Sequence, residues 1–127
     1  MRWPDIEALL IRALSGVGGA HRVATNLPAD LSGNLPLIQV TRVGGADDHL
    51  SDYPVVDLDC FAATRYAAGQ LAATVREAVL GLRHTDVGGL LVDAVDTTAG
   101  PIWVDYADAT VQRYVLTVEI TIRPATT

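Results

Sequence analysis

The chain contains no lysine, one cysteine, one methionine and one phenylalanine, and its basic charge is scarce. Each shortage excludes something. A lone Cys60 cannot close an internal disulfide or build a cysteine-based zinc site, which fits a reducing compartment. Nine arginines against 15 acidic residues leave a net charge of −6. Nucleic-acid binding draws on a basic face that displaces counterions, so tight binding of DNA or RNA is disfavoured. Passage of DNA past a repelling surface is not. No apolar run approaches the roughly 20 residues of a membrane helix. Asp5, Glu7 and Arg12 break up the N-terminal stretch, so it does not read as a signal peptide. The expectation is a soluble intracellular product without a membrane partner. The missing lysine, beside abundant Ala, Val, Asp and Arg, reflects genome composition more than function.

Catalytic motifs are lacking too. There is no G-x-S-x-G elbow, His21, His49 and His84 are scattered, and Cys60 falls in mid-strand facing the predicted core. The run Gly16, Val17, Gly18, Gly19 lacks a following Lys-Ser/Thr and trails a helix where a phosphate loop should open one.

What is present is alternating and helical hydrophobic pattern over 127 residues, half of them hydrophobic, enough for one domain spanning 1–127. Ile6, Leu9, Leu10, Ala13 and Leu14 form a helical stripe. Pro4 suits its first turn, Asp5 and Glu7 suit its positive end, and Gly16 suits a left-handed cap. Arg22 to Thr25 reads as a short strand and Leu27 to Pro36 as a loop. Leu37 to Val43 and Val55 to Ala62 alternate as strands joined by an acidic tip. Thr64 is a good N-cap for a helix to Leu82, whose buried stripe is Ala68, Leu71, Ala72, Val75, Val79 and Leu82. Leu90 to Val95 is a strand, Gly100-Pro101 a turn, and Val111 to Arg123 the longest alternating run.

Directly connected strands imply hairpins. The predicted fold is therefore α+β: a mixed, largely antiparallel sheet of four or five strands with two helices packed on one face. Leu10, Leu58, Leu71, Val75, Leu116, Val118 and Ile120 should be core. The other face of the last strand should be wet or covered from outside the chain.

Asp57 and Asp59 form a D-x-D about 7 Å apart on one strand face. Such a pair can hold a divalent cation, but no partner motif accompanies it, which favours a structural or interfacial role. Asp47, Asp48, His49 and Asp52 crowd the hairpin tip without EF-hand spacing. They read as a mobile solvated loop, or as an arm that orders on arginines of a neighbouring subunit. Replacing Asp47, Asp48 and Asp52 together should then spare thermal stability. Arg42, Arg113 and Glu119 join these five carboxylates as charged interface candidates. Trp103 and Tyr106 either cap the edge of the core or anchor an interface. No catalytic, cofactor or metal residue is assigned.

The segments PDIEALLIRAL at 4–14, LPLIQVTRVGGADD at 35–48, DYPVVDLDCFA at 52–62, the Ala-rich helix, GPIWV at 100–104 and RYVLTVEITIR at 113–123 resemble tail terminator (tail completion) proteins of long-tailed phages, the actinobacteriophage type especially. The resemblance covers nearly the whole chain and carries no catalytic signature. It implies a structural virion protein that caps the tail tube as a hexameric ring. It further implies an end to tube polymerisation, a joining surface for a head-completion or neck protein, and a channel through which DNA passes without specific binding. The place implied is the head-proximal end of the tail, after assembly in the host cytoplasm. Two other readings are a head-tail neck component and a small metal-dependent enzyme using Asp57 and Asp59.

Overall fold

The computed structural model describes residues 5–125, so the expectation for Pro4 lies outside the described residues. In chain order the elements are α1 (Ile6–Leu14), β1 (Arg22–Ala24), β2 (Leu37–Asp47), β3 (Asp52–Ala62), α2 (Arg65–Leu80), β4 (Thr85–Val87), β5 (Leu90–Val104) and β6 (Gln112–Pro124). The six strands form one sheet in the order β1-β2-β3-β6-β5-β4. Only β1 and β2 run parallel; the other pairings are antiparallel.

Local chemistry sets the helix starts. The Asp5 carboxylate accepts from the Glu7 and Ala8 amides, and the Thr64 hydroxyl accepts from the Ala67 amide. Each satisfies donors that the first turn cannot pair internally. Ser15 ends α1, and Gly16 follows it in the left-handed region at φ 77°.

One core joins both helices to one side of the sheet. Ile6, Leu9, Leu10 and Leu14 of α1 and Leu71, Ala72, Val75 and Val79 of α2 share it with Ile38, Val40, Val56, Leu58, Leu116, Val118, Ile120 and Ile122. All seven predicted core residues are buried. Burying Leu71, Val75 and Val79 at roughly 1.5–3 kcal/mol each is what docks α2. Leu82 lies past the end of that helix and is only half-buried.

Four expectations need correction. The sheet has six strands, because the three-residue β4 pairs with β5 across Gly88 and Gly89, both left-handed at φ 59° and 89°. That two-residue turn is the type such glycines favour, but three residues are too few to show alternation. The hairpin strands reach Asp47 and start at Asp52, so most of the acidic "loop" is strand. Gly100-Pro101 does not end β5; it sits inside it, at a shift of register between Ala99 and Ile102. Finally, the helix-free face is partly covered by the chain itself. Leu31, Leu37, Phe61 and Val111 are buried there, with Leu27, Leu35 and Tyr106 packed against them.

No helix among the described residues is long and apolar enough to cross a membrane.

Candidate assembly surface

Strand register gathers the predicted charged residues into two groups. On the helix-free face, rungs run Gln39–Asp59–Val115–Ile102, Thr41–Asp57–Thr117–Ala99 and Gly44–Val55–Glu119–Asp96. Asp57, Asp59 and Glu119 therefore share a face with Arg113, and Asp96 joins them. The other group, Arg42, Asp47, Asp48 and Asp52, belongs to the hairpin.

Within the sheet group each charge has its own environment. Asp57 accepts from the Thr117 hydroxyl at 2.6 Å. Burial pushes the Asp59 carboxyl above its ordinary range; Arg113, with Nη1 at 3.7 Å, pulls it the other way without prevailing, and Asp57 adds to the rise. Arg113 is held by the chain: Nη2 donates to the Asp105 carbonyl at 2.7 Å and the guanidinium lies 5.2 Å from the Tyr106 ring centre. Its Nε is buried without a partner. Tyr106 in turn meets Phe61 edge-on at 5.4 Å. Tyr106 thus caps the small core, the first of the two roles its sequence context left open.

In the hairpin group, Asp52 is not a tip residue. It is 1 % exposed and takes two bonds from Arg42, at 3.0 and 3.1 Å. Removing it together with Asp47 and Asp48 would cost stability, contrary to the expectation above, because Arg42 would lose its buried counter-ion. The tip itself is a short turn closed by Asp48. Its carboxylate accepts from the Leu50 and Ser51 amides and from the Tyr53 hydroxyl, each at 2.7 Å. These bonds hold the Asp48 carboxyl below the usual range, the Tyr53 bond first among them. The solvated loop inferred from composition is an internally hydrogen-bonded turn.

Sequence reasoning missed three features. Leu50 stands 66 % exposed on that turn. Trp103 is held by a bond from Nε1 to Gln112 and by the Arg65 guanidinium 4.5 Å over its ring. Arg123 pairs with Asp93 at 2.7 Å. A lone leucine amid Asp and His was a readable signal for the first. The other two depend on register across β5 and β6, which bulges displace.

The chemistry available here is placement of charge and apolar surface. Among the described residues no three His, Cys, Asp or Glu gather where they could hold a metal ion. Burial pushes the Cys60 thiol up to about 12, so it is no nucleophile at neutral pH.

Such a sheet, with one face under two helices and a charged second face, defines a small α+β scaffold domain. The chain belongs to the phage tail termination protein family, whose family model matches residues 2–104. β6, the central strand Gln112–Pro124, lies beyond that match. Membership makes it a structural protein of the phage tail and of the virion. Among solved structures the fold is similar to a chain described as "Virion of native gene transfer agent (GTA) particle", with TM-score 0.59, 16 % identity, 92 % of this chain and 91 % of that chain covered. No curated protein matches the chain.

Proposed function

We propose that this protein caps the tail tube at its head-proximal end as a hexameric ring, stops tube polymerisation and offers the surface that joins the head. The observation that carries this reading is the family match over residues 2–104. Its partners are further copies of itself, the tail tube protein and a head-completion or neck protein. Assembly takes place in the host cytoplasm, and the cap then belongs to the virion.

The charge distribution supports the reading. On the register rungs of the helix-free face Asp57, Asp59, Asp86, Asp96 and Glu119 outnumber Arg22, Arg113 and Arg123, and the whole chain carries −6. A surface of that sign lets DNA slide past without gripping its phosphates. Arg42, Asp47, Asp48, Asp52, Asp57, Asp59, Arg113 and Glu119 are the charged residues we assign to building the hairpin and sheet-face surfaces between subunits. Arg42 and Asp52 shape the hairpin from within, and the others act at its surface or on the sheet face.

Deleting the gene tests the proposal. Electron micrographs of the mutant lysate should show tails of uncontrolled length without heads, and purified protein should restore joining. Tails of normal length joined to heads in the deletion would overturn it.

A further inference from the structure

Residues 105–111 join β5 to β6, and the strap they form covers Phe61. Tyr106 meets that ring edge-on at 5.4 Å, and Leu31, Leu37 and Val111 are buried with it.

Arg113 ties the strap to the sheet. It pairs in register with Phe61, donates from Nη2 to the Asp105 carbonyl at 2.7 Å, and lies 5.2 Å from the Tyr106 ring centre. The tie is incomplete. Its Nε is buried without a partner, and its Nη1 stands 3.7 Å from the Asp59 carboxylate, beyond hydrogen-bond reach. Among the described residues that carboxylate accepts no hydrogen bond, whereas Asp57 has the Thr117 hydroxyl. An orphan donor and an unsatisfied acceptor thus face each other across a short gap, and both are costly away from water. Closing the gap would satisfy them together as a charged pair, and the guanidinium would then leave Asp105.

We propose that Arg113 is a latch with two positions: on the Asp105 carbonyl it holds the strap down over Phe61, and on the Asp59 carboxylate it lets the strap rise. The structure shows the first. Which position is taken depends on the charge of Asp59. Its charged neighbours are Arg113 and Asp57; beside it on β2 and β6 stand the neutral Gln39 and Val115. In the loops over this face, Asp30 and Asp108 turn their carboxylates onto their own segments, and Asp105 meets Arg113 through its carbonyl. Burial holds the Asp59 carboxyl above its ordinary range, against the pull of Arg113 and with a push from Asp57. Below that raised value Asp59 is neutral and has little hold on the guanidinium, so the strap is latched. As pH rises through it, the carboxylate forms and draws Arg113 away.

The chain has a single phenylalanine, so 4-fluorophenylalanine labels position 61 alone. The difference in its fluorine shift between H2O and D2O reads water contact, which the charge on Asp59 does not itself alter. Between about pH 3 and about pH 7 the ratio of raised to latched strap should climb about two- to fivefold, the scale of a partly exposed ion pair. Asp59→Asn should keep the low-pH level throughout. Arg113→Met retains the apolar stem without a donor and should show the raised level at every pH. Asp108, which holds the strap's own turn through Thr110, titrates alike in all three proteins.

Water contact that stays constant in the wild type, or that changes equally in Asp59→Asn, would overturn the latch. So would contact in Arg113→Met that still follows pH. A strap more open in Asp59→Asn than in the wild type at neutral pH would show that Asp59 props Arg113 against Asp105, the reverse of this inference.

Discussion

Arg42 and Asp52 face each other across the β2–β3 hairpin as a two-pronged ion pair, Nη1 to Oδ2 at 3.0 Å and Nη2 to Oδ1 at 3.1 Å. The arginine also donates from Nε to the Gly44 carbonyl at 3.0 Å. One guanidinium thus ties both strands of the hairpin beside the bulge at Val43.

Asp52→Ala should therefore lower stability by about 1–3 kcal/mol, the cost of leaving a polar partner unpaired. The larger penalty of a wholly buried pair is not expected, since the Arg42 side chain is 34 % exposed and can regain water. Asp96→Ala, at an exposed position, should stay within about 0.5 kcal/mol. Urea denaturation of the two variants measures the difference. Equal midpoints would mean that the pair contributes nothing.

Gly45 has φ 102°, and a Cβ there would run into the Tyr53 carbonyl and the Pro54 backbone. Gly45→Ala should cost roughly 2 kcal/mol or more, strain and steric displacement together. Gly89→Ala meets no neighbouring atom, although its φ of 89° is strained, and should cost less. Thermal melts that rank the two in the reverse order would contradict the bulge geometry.

Phe61→Ala should cost about 3–5 kcal/mol, a full core penalty, although its side chain lies on the face without helices. The Tyr106 ring would lose its edge contact in the same step. A loss under about 1 kcal/mol, the size of a surface change, would mean that the loop cover over this face is loose.

Carboxyl titrations should split in two directions. Asp48 and Asp108, held low by their hydrogen bonds, lend stability that is present above the unfolded value near 3.8 and lost as pH falls through their lower folded values. Asp59 has the opposite sign. Its raised folded value gives stability that is full below the unfolded value and lost as pH rises through the folded one. Carbon-13 shifts of the side-chain carboxyls, followed against pH, should place Asp59 above 3.8 and Asp48 below it. Coincident curves would refute the assigned surroundings.

Elements long enough to repeat were legible from the sequence. The stripes at 6–14 and 68–82, the second overrunning its helix at Leu82, and the alternation at 111–123 determined two helices, their buried sides and the central strand, because each pattern spans several turns or rungs. The seven core residues followed from the same periodicity. So did the shared strand face of Asp57 and Asp59, since side-chain facing in a strand needs only parity, whereas their meeting with Arg113 and Glu119 came from the pairing of β3 with β6. What needs partners distant in sequence was decided by the tertiary structure. β4 exists only because β5 pairs with it, and β5 passes through Gly100-Pro101 because β6 holds both sides of the bulge. Asp52 and Asp48 carry the same charge at the same hairpin. Packing against β6 turned the first inward onto Arg42, and a turn of four residues left the second in water. Composition cannot make that distinction: burial depends on which strand lies alongside, and that is settled only when the sheet has closed its register.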